Sequence, residues 1–139
     1  MGLRKRVAYA NVIQKKYPKH KVIFVSIHFD VLPASIEGVR VIESNGGNAL
    51  GKFLSETFLE CNRANGKWCL VESGDKTHGL KNIFVLGKNN LIKEKVLIEL
   101  GNFKNTKDIW RIRDFHVREN YAQLKTRALI KMMKGEKKK

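Results

Sequence analysis

Leu3, Val7, Ala10 and Ile13 recur at the spacing of one helical face and stop before Pro18, which predicts a helix of about 14 residues. Val22-Ile23-Phe24-Val25-Ser26-Ile27 is instead a continuous, β-branched run, the pattern of a strand buried on both faces. A loop containing Pro33 follows, then a strand through Val39-Arg40-Val41-Ile42, closed by Asn45-Gly46-Gly47. Leu50, Phe53, Leu54, Phe58 and Cys61 line one face of a second helix, which ends at Asn65-Gly66. Ile83-Phe84-Val85-Leu86 and Val96-Leu97-Ile98-Glu99-Leu100 read as two more buried strands. Val117, Tyr121, Leu124 and Ala128 mark a final helix running toward Met133. Strands alternating with helices predict an α/β domain with a mostly parallel sheet flanked by helices. No internal repeat interrupts it.

A chain of 139 residues allows one domain of ordinary size, and 42% hydrophobic with 29% charged residues suits a chain that buries a core. Charge changes the picture more. Lys and Arg number 28 against 13 acidic residues, a net +15 that favours anionic partners: nucleic acid, an anionic envelope polymer or a membrane surface. The ends are the most basic parts. Residues 1–21 hold Arg4, Lys5, Arg6, Lys15, Lys16, Lys19 and Lys21 and no acid, and residues 134–139 read as a solvated basic tail behind a domain over 1–133. No apolar run approaches the roughly 18 residues of a membrane span. The first ten residues carry charges with no apolar stretch behind them, so no recognisable export signal is present. Cys61 and Cys69 lack any CxxC or Cys/His spacing; one disulfide would fit two cysteines, but nothing demands it and ordinary burial is the better reading of both.

Two polar residues stand out by position. His28 follows Ile27 and Glu99 follows Ile98, each at the end of an apolar strand, where open α/β sheets gather their sites. A neutral imidazole is a common metal ligand and a carboxylate can act as a general base. The plainer alternative makes His28 a satisfied core histidine and Glu99 the ion-pair partner of a nearby Lys or Arg, since an ionised carboxylate in a dry strand needs compensation. Trp68 and Trp110 could stack on sugar rings or fill core, and Asn89-Asn90 reads as a turn.

A wider pattern surrounds this pair. Phe24-Val25-Ser26-Ile27-His28-Phe29-Asp30 followed by Glu37-Gly38-Val39-Arg40-Val41 resembles the Ser-Ile-His block of zinc-dependent N-acetylmuramoyl-L-alanine amidases. Arg6 through Ala10-Asn11 is similar to the helix before that block. His78-Gly79-Leu80-Lys81-Asn82-Ile83-Phe84-Val85-Leu86 resembles a later stretch of the family. Val96-Leu97-Ile98-Glu99-Leu100-Gly101-Asn102-Phe103-Lys104-Asn105 resembles the family's glutamate block with Asn102 as a one-residue insertion, and Asp108 and the last helix continue the likeness.

The resemblance implies hydrolysis of the amide joining N-acetylmuramic acid to L-alanine of the peptidoglycan stem peptide. His28 then matches a zinc ligand and Glu99 the catalytic glutamate. It further implies a location in the cell envelope or outside the cell, with peptidoglycan and anionic wall polymers as partners. The family's domain opens with a strand bearing a second zinc histidine, and a helix after it bears a glutamate ligand. Neither block is present here, so the resemblance implies a C-terminal portion with one zinc ligand, a short sheet with an uncovered edge, and no activity by itself. Among residues able to substitute, His78 stands where the family usually has Arg, Asp30 is placed to orient the loop or touch substrate, and His20 and His116 lie in basic stretches. Two other functions compete: a non-catalytic envelope-binding remnant of the domain, and a small nucleic-acid-binding protein. No helix-turn-helix, zinc-finger or RNA-recognition signature supports the latter.

Overall fold

Two helices come from the amphipathic patterns with little change. The structure, a computed structural model, describes residues 2–43, 48–65, 71–73 and 83–135. Helix α1 spans Leu3–Lys16, buries Val7 and Ala10, and ends at Tyr17. Strand β1 covers Ile23–Asp30 and β2 Val39–Glu43. Helix α2 runs Ala49–Asn65, followed by the short strand β3 at Val71–Ser73. Strand β4 covers Glu94–Asn102, and helices α3 (Thr106–Arg113) and α4 (Phe115–Gly135) close the chain. The tail expected from residue 134 thus overlaps the last turn of α4, and residues 136–139 lie outside the described residues.

The four strands form one sheet in the order β1-β4-β2-β3. Their alternating side chains divide the interior into two unequal parts. On one face Val39, Val41, Val96 and Ile98 pack against Leu50, Leu54 and Phe58 of α2 and Val117, Tyr121, Leu124, Ala128 and Met132 of α4. The opposite face holds a smaller cluster in which Val7 of α1 meets Ile42, Leu97, Val85 and Leu86. Cys61 packs at the margin of the larger core, as its helical position predicts.

The sheet keeps the expected mostly parallel character, with one exception. Its end pairs β1·β4 and β2·β3 are parallel, but the central pair β2·β4 is antiparallel, so the sheet is mixed. The reason is connection length. Residues 31–38 join β1 to β2, shorter than the dozen or more residues a parallel crossover needs, so the chain turns back. β1 is also not buried on both faces. It is an end strand, with Val25 and Ile27 exposed.

Residues 83–86, expected as a strand, form a turn. Leu86 N–H donates to the Ile83 carbonyl and Gly87 N–H to that of Phe84, the i to i+3 geometry of a tight bend. Asn90 holds it through Nδ2 to the Val85 carbonyl, and Lys95 Nζ donates to the carbonyls of Gly87 and Asn90. Val85 and Leu86 are buried as the apolar run predicts, but by plugging the smaller core and not by strand pairing. The turn read at Asn89-Asn90 belongs to this bend, and Asn11 ties it to α1 through its side-chain amide. Strand β3 was not among the expected elements. Asn45-Gly46-Gly47, Trp68, Cys69 and His78 lie outside the described residues.

Candidate functional site

The short return after β1 brings the start of β2 to the carboxyl ends of β1 and β4. His28, Glu99 and Arg40 consequently stand in one row across three neighbouring strands, His28 opposite Glu99 and Glu99 opposite Arg40. Register partners project to the same face, so three ionisable side chains share a few ångströms of sheet. Alternation puts Ser26 and Asp30 on that face too. Ser26 is buried, and its Oγ lies 2.8 Å from His28 Nε2. Asp30 forms an ion pair with the buried Arg40 guanidinium and accepts from the Val31 N–H at 2.6 Å.

Burial sets the protonation of both candidate residues. Removal of water lowers the His28 pKa below 6.5, and the positive charge of Arg6 adds to this, so the neutral imidazole is favoured. Burial raises the Glu99 carboxyl above 4.5, while the Arg40 charge pulls the other way. Glu99 Oε2 is buried with no hydrogen-bond partner, an arrangement that holds a lone pair out of water. Such a group is expensive in a purely structural role and suited to accepting a proton.

A loop borders this row, and its support comes from residues after β4. The pairing of β1 and β4 is regular through His28 and Glu99, then shifts so that Asp30 faces Asn102. This bulge sits where Asn102 reads as an inserted residue. Bulges of this kind re-aim side chains beside sites. Asn102 accepts from the Leu32 N–H and donates to the carbonyls of Pro33 and Ile36. Asn105 donates to Ala34, and the buried Asp108 accepts from the N–H groups of Gly38 and Asn102 and from Arg111. Gly101 is required by close packing, because a Cβ there would lie 2.8 Å from Phe29 Cζ and 3.0 Å from Asp108 Cβ.

The structure brings His28 and Glu99, singled out by sequence, onto one row with Asp30 beside them, whereas sequence reasoning passed over Arg40, Ser26 and the Asn102–Asp108 support. One signal was available: Asn105-Thr106-Lys107-Asp108 has the spacing of a helix N-cap, and Asn105 Oδ1 accepts from the Asp108 N–H as such a cap does. His20 and His116 are exposed, with their rings against Tyr17 and Phe115. Trp110 is also exposed, under the Arg113 guanidinium 5.7 Å from its ring centroid, and is not core.

With this geometry in place, comparison with known proteins becomes specific. The family model described as N-acetylmuramoyl-L-alanine amidase matches residues 1–131. The chain belongs to that family. No curated protein matches it. Among solved structures, an N-acetylmuramoyl-L-alanine amidase of Nostoc punctiforme is 20% identical with a TM-score of 0.70, covering 96% of this chain and 67% of that one. The catalytic domain of an amidase from Bacillus (Paenibacillus) polymyxa var. colistinus gives 18% identity, a TM-score of 0.71 and coverage of 96% and 66%. An amidase of Clostridioides difficile, in complex with a lipoprotein, gives 22%, 0.63, 96% and 66%. At these identities the likeness shows the fold, and the amidase chain spans about two thirds of the length of the structures it matches.

Zinc, which the family implies, can be tested against the donor set. His28 in its neutral form is a fitting ligand by type. Among the described residues, however, no three of His, Cys, Asp and Glu gather into a group able to hold a metal. A catalytic zinc takes three protein ligands and an open position, so the described residues of this chain do not make a complete site. Among these residues, no helix is long and apolar enough to cross a membrane.

Proposed function

We propose that the chain is part of a peptidoglycan amidase domain that cleaves the bond between N-acetylmuramic acid and L-alanine of the stem peptide. Within it, Glu99 is the general base and acid and His28 one ligand of a zinc ion. The observation supporting this is the juxtaposition of His28 and Glu99 at the carboxyl ends of paired parallel strands, in a chain whose family match covers both. Zinc, when bound, supplies a water of lowered pKa. Glu99 has the chemistry to take a proton at its partnerless Oε2 and return it to the leaving amine, its raised pKa easing the return. Arg40 opposes that rise and keeps the carboxylate form accessible. Ser26 fixes the His28 ring through Nε2, and Asp30 anchors Arg40. Action on peptidoglycan places the protein at the cell envelope or outside the cell, and its net +15 suits anionic wall polymers as further partners.

A non-catalytic, wall-binding role is the second reading, favoured by the single imidazole that the described residues bring to the site. Zinc content and hydrolysis decide between them. The protein is dialysed, its zinc measured by elemental analysis, and release of stem peptides from peptidoglycan followed by chromatography. The amidase reading expects zinc that is lost in His28→Ala, and hydrolysis that Glu99→Gln reduces by about 10²–10⁴-fold. Sedimentation with peptidoglycan, without zinc or hydrolysis, would establish the binding role instead.

A further inference from the structure

A second cluster stands apart from the His28–Glu99 row, at the corner where α3 meets α4. Trp110 follows the buried Asp108 by two residues, about 200° around a helix of 3.6 residues per turn. Its ring therefore leaves α3 on the side away from the sheet and is 69% exposed. Beside it lies a cavity of about 410 Å³ lined by Trp110, Arg111, Arg113, Asp114 and Val117. The lining comes from one short stretch of chain, carried by helices that pack on β4 and on each other.

The arginines of this corner differ in what they are free to do. Arg111 is committed to Asp108 at 2.7 Å and Glu37 at 3.5 Å. Arg118 donates to the carbonyls of Ile112 and Arg113 and so caps α3. Asp114 is occupied as well, since its Oδ1 accepts from the N–H groups of His116 and Val117. The Arg113 guanidinium instead lies against the Trp110 ring, 5.7 Å from its centroid, and among the described residues no carboxylate pairs with it. The ring holds that cation in place, and the pair offers an aromatic face beside an uncompensated charge. Such a pair fits a ligand ring that carries an anion.

The proposed reaction makes one. Water added across the amide C–N bond leaves an amine on the peptide and a free lactyl carboxylate on the sugar, where the substrate had a neutral amide. Aromatic faces suit the apolar faces of sugar rings. Helix α3 starts just past the end of β4 that carries Glu99, and Arg111 ties it to Glu37 in the loop beside the row. We infer that the Trp110–Arg113 corner binds the glycan strand after cleavage, with an N-acetylmuramic acid ring on Trp110 and its lactyl carboxylate on Arg113. The choice of ligand rests on the amidase reading; the corner itself uses neither zinc nor Glu99.

Titration calorimetry with the disaccharide of N-acetylglucosamine and N-acetylmuramic acid tests it. The lactyl carboxylate is free in one probe and blocked as a primary amide in the other. The free acid should bind at least about fivefold more tightly at low salt, with the gap closing as salt rises. Trp110→Ala should weaken both probes by at least about tenfold. Arg113→Gln should erase the preference for the acid and leave binding of the amide within about twofold. Both side chains are exposed, so unchanged urea midpoints verify that the variants fold. Absent binding, equal binding of acid and amide, or binding unmoved by Trp110→Ala overturns the inference. So does tighter binding of a single-stranded oligonucleotide through the same two residues, because the ring on Trp110 is then a base. The probe is supplied already cleaved, so a chain that hydrolyses nothing can pass this test and one that hydrolyses peptidoglycan can fail it.

Discussion

The two faces of the sheet are built from the same strands, yet they bury very different chemistry. Facing α2 and α4, β2 and β4 present Val39, Val41, Val96 and Ile98, all completely buried. Facing α1, the alternate positions of those strands present Arg40, Ile42, Lys95, Leu97 and Glu99, three of them ionisable. The apolar cluster on that side is small, and polar networks secure the rest. The contrast teaches where each burden is carried. One face supplies most of the folding free energy, which leaves the other free to hold a buried carboxylate with an unsatisfied oxygen, a group that costs stability.

The sharpest way to break this comparison is to damage the large core. Phe58 is fully buried on α2 with its ring edge toward Tyr121 of α4. Phe58→Ala should cost about 3–5 kcal/mol in urea unfolding, enough to leave a marginal domain largely unfolded. Val85 is equally buried in the smaller cluster but carries fewer atoms, and Val85→Ala should cost about half as much. Equal losses at the two positions would contradict the division between faces.

A second test concerns the polar support of the site loop. Asp108 is buried and accepts from two backbone N–H groups and Arg111, linking the starts of α3 and β2 to the end of β4. Asp108→Ala removes the acceptor of both backbone N–H groups, while Arg111 keeps Glu37, and should cost about 3 kcal/mol, with faster amide exchange at Gly38 and Asn102. A loss below about 1 kcal/mol would mean that the loop is held chiefly by other contacts.

These effects differ in how far the sequence announces them. Helix α1 and the apolar faces of α2 and α4 were legible because Val7-Ala10, Leu50-Leu54-Phe58 and Val117-Tyr121-Leu124 recur at helical spacing and are buried on one side. His28 and Glu99 were legible because a polar residue ending an apolar strand is conspicuous. The one antiparallel pair was not, since apolar runs look alike in either sense; the length of residues 31–38 was the missed clue. The run 83–86 was misread because four apolar residues do not separate a strand from a buried turn. Arg40 was passed over because it sits inside an apolar strand, where its partner Asp30 is ten residues away and meets it through the fold alone.

The site row itself makes a smaller, pH-dependent prediction of opposite signs at its two ends. The His28 pKa is lowered in the folded protein, so its contribution is complete above 6.5 and is lost as pH falls through the lower folded value. The Glu99 pKa is raised, so its contribution is complete below 4.5 and is lost as pH rises through the folded value. Urea midpoints measured from pH 4 to pH 8 should therefore fall less steeply on the acid side in His28→Ala, and less steeply toward neutrality in Glu99→Gln. Profiles that parallel the native one would place both side chains in contact with solvent.

The smallest effect sharpens the comparison from the side of α4. Lys131 Nζ bridges both oxygens of Glu60 at 2.8 and 2.9 Å, joining α4 to α2 across the outside of the large core. On paper this is a well-formed link between the two helices that matter most for stability. Both side chains are nonetheless exposed, at 40% and 61%, where water and salt screen the attraction and holding two long side chains costs entropy. Lys131→Ala should shift unfolding by no more than about 0.5 kcal/mol, and less in high salt. A loss of about 2 kcal/mol would transfer part of the α2–α4 attachment from the apolar seam of Phe58, Tyr121 and Met132 to its polar rim, and the claim that one face of the sheet carries stability through apolar burial would have to be narrowed accordingly.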